Sequence, residues 1–348
     1  MSVQAKKAFQ YRPDHLIQDF REHIRAFGEP HTWRYHTHEP PAPEGAEVLL
    51  ANFVIPREFV RSKGLAPCPI CSPKSPQYAK GHLIWSAVGG TLHAVGHCCG
   101  HKHFEDGSFG RGIAAAIELE QRRADETFLM DNWEYPRELL ALSRDLTPWA
   151  RSYDQVVKNL KGGLSPMVCK AIYRAAADGA FLSVEDQVQG LGRKMVSIKT
   201  PFGSRPVQGG LVLRGGKRAV SCEGRIKAAS LIFEQLDWVS YEDAFWWASS
   251  QPSADLKLLA RHIKEAVAVF HDAHADFLAL QAFLSEENLE LVSAWSAVAH
   301  AGNPLRLHPH AREDLAIWRG AVRVRRILIP RNIWGPPFAL PSLAPCAG

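Results

Sequence analysis

No apolar run in this 348-residue chain approaches the roughly 18 residues that a membrane-spanning helix needs, which excludes a helical membrane protein. The opening residues, M-S-V-Q-A-K-K-A-F-Q, contain no apolar core of a secretory leader. Cysteine is scarce and odd in number, seven in all, and only those between positions 68 and 99 cluster. The pattern argues against a disulfide framework, and Cys169, Cys222 and Cys346 read as reduced thiols in a cytoplasmic protein. There is no G-x-x-x-x-G-K-S/T loop, no G-x-S-x-G elbow and no G-x-G-x-x-G after a strand, so common nucleotide-binding and hydrolase signatures are missing. The glycine pairs at 162–163, 209–210 and 215–216 read as turn punctuation. What remains, 46% hydrophobic and 22% charged residues, is the composition of a folded chain long enough for two or three domains.

The most specific feature is a cluster of soft and borderline ligands. Cys68 and Cys71 form C-P-I-C, and after 26 residues comes C-C-G-H-K-H, with Cys98, Cys99, His101 and His103. Sulfur and imidazole at such spacings suit a tetrahedral Zn2+ ion. Pro69 stiffens the first pair into a knuckle. Cys99 and His103 stand four residues apart, on one face of a helix. The expected ligands are Cys68, Cys71, Cys99 and His103, with Cys98 and His101 in reserve. Four candidates favour closed, structural coordination over an open catalytic site.

The order of elements, knuckle, β-hairpin, second ligand pair and helix, resembles a treble-clef zinc finger over about residues 61–110, with a two-knuckle zinc ribbon as the alternative. The resemblance implies that the second ligand pair sits at the start of the following helix. His82, His93 and His97 crowd the same region. A metal-dependent nuclease of the ββα type is a third possibility, but the Asp-His pair and the Asn of that design are missing.

Charge is distributed in blocks around a formal net charge of +5. Arg193, Lys194, Lys199, Arg205, Arg214, Lys217, Arg218, Arg225 and Lys227 are opposed within their stretch only by Glu223. From Glu234 to Glu290, eleven acids face three bases. A second basic patch comprises Arg319, Arg323, Arg325, Arg326 and Arg331. Such blocks either attract a polyanion or neutralise one another within the fold.

Periodicity places a short amphipathic helix at 14–27, a Pro-rich linker at 39–45 and a strand at 48–55. A hairpin forms across Gly89-Gly90, and a helix covers 113–130. One helix starts near Pro136 and another runs from Pro148 to Leu160. A further helix is bracketed by Ser165-Pro166 and Gly179. Two or three basic strands follow over 181–222. Leu256, Leu259, Ile263, Ala266, Phe270, Ala273, Phe277, Leu280 and Leu284 recur at alternating spacings of three and four. This is a coiled-coil seam or the core stripe of a helix on the order of 40 Å long. Ser285 caps another helix to Val298. His271-x-x-His274 with Asp272 and Asp276 reads as a solvated acidic face, and His308-x-His310, beside prolines, as loop. Tyr241, Phe245, Trp246 and Trp247 read as core.

The expected fold is α+β and mostly helical. Its segments are an N-terminal helix, linker and strand (1–60), a zinc module (61–110), helices (111–180) and a basic β-element (181–230). A helical region follows (231–329), with its heptad helix at 256–284, and then a Pro-rich extended tail (330–348). The expected function is that of a non-enzymatic, zinc-stabilised protein contacting nucleic acid through the basic strands. An adaptor or self-associating scaffold built on 256–284 is the alternative.

Overall fold

The computed structural model describes residues 9–104, 108–189, 195–214, 220–310, 312–335 and 340. The fold is α+β and mostly helical. The chain divides into two compact units, Met1–Thr127 and Phe128–Gly348.

In the first unit, α1 (Leu16–Phe27) buries Leu16, Phe20 and Ile24, spaced one turn apart, and ends at Gly28, whose φ is +68°. Strand β1 (Ala46–Val54) is followed by α2 (Arg57–Lys63), then by β2 (Ala66–Cys68) and β3 (Ser72–Tyr78), which pair as a small antiparallel ribbon. The hairpin across Gly89-Gly90 forms as expected, from β4 (Lys80–Ser86) and β5 (Thr91–Gly96). Strand β1 joins it in the order β1-β4-β5. Residues 46–54 thus pair with the first strand of the hairpin. Helix α3 (His97–His103) leaves β5 directly, and α4 (Ser108–Asp131) contributes Phe109, Ile113 and Ala116 to the core of Phe20, Phe53, Ile55, Leu83, Ile84 and Leu92.

The second unit begins at Phe128, within α4, and continues with α5 (Tyr135–Gly163), one helix where two were expected. Proline removes one backbone donor at position 148, yet Leu139, Leu146, Trp149, Ala150, Tyr153, Val156 and Leu160 form one buried stripe across it. Packing of that stripe overrides the local break. Helix α6 (Pro166–Ala177) has the expected boundaries: Ser165 Oγ accepts the Val168 N–H at 3.3 Å, and Gly179 adopts φ +61°.

Strands β6 (Leu182–Gln189) and β7 (Met195–Phe202) pair, the lower of the two or three strands expected, and Gly210–Leu213 forms a 3-10 turn. Gly209 precedes it at φ +62°, where a Cβ would lie 1.9 Å from the Ala279 carbonyl oxygen, so the backbone is docked too closely for any side chain.

After α7 (Cys222–Leu231), α8 (Tyr241–Ser250) starts at a reciprocal cap. Ser240 Oγ accepts the Asp243 N–H at 3.2 Å, and Asp243 Oδ2 accepts the Ser240 N–H at 3.1 Å. Ser240→Ala is expected to cost about 1 kcal/mol, read as a lower urea midpoint without loss of helix content at low urea; an unchanged midpoint would contradict the cap's contribution. The buried face of α8 consists of Ala244 and Ala248, and this corrects the expected aromatic core: Tyr241, Phe245 and Trp246 are exposed, and Trp247 alone packs inward, edge-on to Trp238.

Helix α9 (Ser253–Phe283) buries every residue of its heptad stripe in the unit's own core. Helix α10 (Glu286–Ala299) follows as expected from Ser285. The chain then forms a three-stranded antiparallel sheet, in the order β10-β9-β8, from β8 (Leu305–His310), β9 (Asp314–Arg319) and β10 (Val322–Leu328). The expected extended tail falls largely on 336–339 and 341–348, outside the described residues. No helix among the described residues is long and apolar enough to cross a membrane.

Candidate functional site

Cys68 ends β2 fully buried, and the turn through Pro69 and Ile70 returns the chain so that Cys68 pairs with Ser72 on β3. Cys71 follows that turn and is exposed. Cys99 lies in the first turn of α3. The ligand atoms of Cys68, Cys71 and Cys99 all lie within 4.8 Å of one another. The Gly96 N–H points at Cys68 Sγ from 3.4 Å, a donor placed to stabilise a thiolate. Burial, then hydrogen bonding to the Cys71 sulfur and the proximity of Cys68, pushes the Cys99 thiol up to about 12. Three sulfurs so crowded form the donor set of a soft or borderline metal ion.

His103, expected as the fourth ligand, does not join this group: its Nε2 lies 3.0 Å from the Pro41 carbonyl oxygen. Cys98, held in reserve, is exposed at the neighbouring position of α3 and is also outside the group.

A second group lies beside it. The ring nitrogens of His82, His97 and His101 offer three ligand atoms within 4.8 Å of one another. His82 is fully buried on β4, and a shift in the β1–β4 pairing between Leu50 and Phe53 sets Asn52, at φ +58°, against it. The Asn52 N–H donates to His82 Nδ1 at 3.3 Å, and His82 Nε2 is 3.0 Å from His97 Nδ1. The His82 and His97 rings stack at 5.1 Å, and Phe109 stands edge-on to both His82 and His101. Burial, with the neighbouring His97, His101 and Lys80, brings His82 down to about 4, so its ring is neutral near pH 7. The spacing of His97 and His101 by one helical turn was the sequence signal for this group, visible only once β4 is seen to pass the same end of α3.

Among the described residues, four of the five bases of the first block have carboxylate partners. Arg193, Lys194, Lys217 and Arg218 lie outside the described residues. Lys199 pairs across the β6–β7 ribbon with Glu185 at 3.4 Å, and Lys227 pairs with Glu223 at 2.7 Å. Glu223 is held down to about 2 by Arg151 and then Lys227. Arg205 meets Glu287, and Arg225 meets Asp276, both partners belonging to the acidic stretch. Arg214 is exposed, and its carbonyl accepts the Lys161 ammonium. Fold-internal pairing is thus the fate of most described bases in 193–227.

The second basic patch lies on a sheet that patterning had missed, because Pro309 and the histidines masked the alternation of Leu305 and Leu307. His308 and His310 are on β8, not in a loop. Leu305, Leu307, Leu315, Ile317 and Ile327 are buried on the inner face. On the outer face, Arg306 and Arg323 are the cross-strand partners of Trp318, one on each side, and His308, Ala316 and Arg326 form the next row.

Two other arginines of the patch hold the sheet to α5. Arg319 donates to the Gly163 carbonyl at 3.3 Å and Arg325 to that of Asn159 at 3.4 Å, cations at the negative end of that helix. Arg326 pairs with the buried Asp314, and Arg331 with Glu313 at 3.4 Å. Among the described residues Arg306 has no carboxylate partner. A shallow depression of about 410 Å³ lies over Arg306, His308, Trp318 and Gly320.

No family model, curated protein or solved structure matches the chain.

Proposed function

We propose that this is a nucleic-acid-associated protein in which Zn2+, held by Cys68, Cys71 and Cys99 in a treble-clef-like module, serves structure, and single-stranded nucleic acid binds the outer face of the β8–β9–β10 sheet. The reading rests on one observation, the row Arg306–Trp318–Arg323 across three strands. An indole flanked by two guanidinium groups offers a base a stacking surface and its neighbouring phosphates two cations. This face is preferred to the expected contact through 193–227 because Lys199, Arg205, Arg225 and Lys227 have carboxylate partners. Single strands are favoured over duplex, since a stacked Trp needs an unpaired base face.

Fluorescence anisotropy with a labelled single-stranded oligonucleotide at low salt tests this. Trp318→Ala is expected to weaken binding by about 5- to 150-fold, from a stacking contribution of roughly 1–3 kcal/mol per base. Arg306→Ala and Arg323→Ala should each reduce the slope of log affinity against log salt by about one. No binding by the native chain, or binding that all three variants leave intact, would remove the proposal. Equal binding of duplex, insensitive to Trp318→Ala, would leave only a phosphate contact and reject the stacking role.

A further inference from the structure

We propose that His82, His97 and His101 form a second metal site, separate from the three thiols and selective for a borderline divalent ion such as Zn2+, Co2+ or Ni2+. Two imidazole nitrogens on one tetrahedral ion, each about 2.0–2.1 Å from it, stand roughly 3.3 Å apart. His82 Nε2 and His97 Nδ1 are 3.0 Å apart, and His101 places its ligand atom within 4.8 Å of both. All three ligands are nitrogen, which favours borderline ions over Ca2+ or Mg2+.

The two metal sites diverge because of helix geometry. Cys99 is two residues from both His97 and His101, so at 100° per residue it projects roughly 200° around α3 from each. His97 and His101, one turn apart, share the other side and meet His82 from β4. One short helix thereby serves sulfur on one side and nitrogen on the other.

The ring protons must be accounted for. With the Asn52 N–H directed at Nδ1, the neutral His82 ring carries its proton on Nε2, aimed at His97 Nδ1. Ligation through Nε2 requires that proton on Nδ1 instead, facing an acceptor. Asn52 Oδ1 is buried with no hydrogen-bond partner, and it belongs to the residue already lying against Nδ1. The hydrogen bond from the Asn52 backbone N–H to Nδ1 is then broken, and a turn of the Asn52 side chain brings Oδ1 to accept from the new Nδ1–H, the outer hydrogen bond that metal-bound histidines commonly make. No oxidation or net proton loss from the ring is involved. Three histidines leave the fourth position of a tetrahedral ion to water or a small anion.

The test uses the full chain, stripped of metal and titrated with Co2+, with bound ion measured by elemental analysis and absorption spectra. Two equivalents are expected, one with the near-ultraviolet thiolate-to-cobalt band and one without. The double variant His97→Gln/His101→Gln should lose one equivalent and keep the thiolate band. His101 is exposed and His97 only half-buried, so folding is expected to survive, checked by circular dichroism. Asn52→Gly, which suits the positive φ, should weaken the nitrogen-bound equivalent by about 10- to 100-fold. One equivalent in the native chain, or two retained in the double variant, would overturn the site. Unchanged affinity in Asn52→Gly would overturn the part given to Asn52.

Discussion

Cys71→Ser is expected to abolish metal binding at the thiol site and to destabilise the first unit by about 4 kcal/mol or more, the scale of losing a structural metal. The position is chosen because Cys71 is exposed, so serine there creates neither a cavity nor a buried hydroxyl. Cys68 would confuse those effects, being fully buried. The loss should also be local. Strands β2 and β3 form a separate two-stranded ribbon, and α3 is only seven residues long. Elements of that size do not hold alone in water. By contrast, α1 and the β1-β4-β5 sheet keep Phe20, Phe53, Leu83, Ile84 and Leu92. Hydrogen exchange should therefore accelerate over 66–78 and 97–103 while the sheet amides remain protected, and the same pattern should follow chelation of the native chain. A variant that lost its metal yet kept both the melting temperature and the exchange pattern would contradict a structural role for the ion.

Phe277→Ala is expected to cost the second unit about 3–5 kcal/mol, as for other fully buried phenylalanines. Phe277 is 1% exposed, and its ring centre lies 3.9 Å from that of Trp149 on α5, an edge-to-face contact that alanine cannot replace. The experiment also separates two uses of a heptad stripe. Where the stripe packs within one chain, the unfolding midpoint falls at every protein concentration and the mass in solution is unchanged. Were it a seam between two copies, the variant would lower the mass and make the midpoint depend on concentration. A cost below about 1 kcal/mol accompanied by a change in mass would reject the intramolecular assignment. The buried stripe bears directly on the adaptor alternative, because self-association through 256–284 would have to open the core.

The elements legible from sequence were those whose signals are local. Ser165, Pro166 and Gly179 bracketed α6, and the buried faces of α1 and α9 followed the 3.6-residue period. Gly89-Gly90 joined β4 to β5. Failures occurred where a distant partner outweighed the local rule. Pro148 does not end α5, because the apolar stripe on both of its sides packs into one core. The run G-L-V-L becomes a 3-10 turn where Gly209 is docked on α9. The aromatic run of α8 faces outward because the helix uses its two alanines for packing.

The candidate sites divide in the same way. The chain by itself marked a cluster of side chains able to hold a metal ion and the cysteine pair that begins it, since a knuckle is a short-range feature set by spacing and a proline. It also determined that charge comes in opposed blocks. Only tertiary structure could choose among the later ligands, because that depends on which side of α3 faces the β2–β3 turn and which faces β4. It assigned Cys99 to sulfur, turned His103 toward the Pro41 carbonyl, and assembled His82 with His97 and His101. It likewise decided which bases are already paired, as Arg205 with Glu287 and Arg225 with Asp276, and placed Trp318 between Arg306 and Arg323. Those are contacts between residues far apart in the chain, set by strand register and helix docking, and a linear pattern carries no record of either.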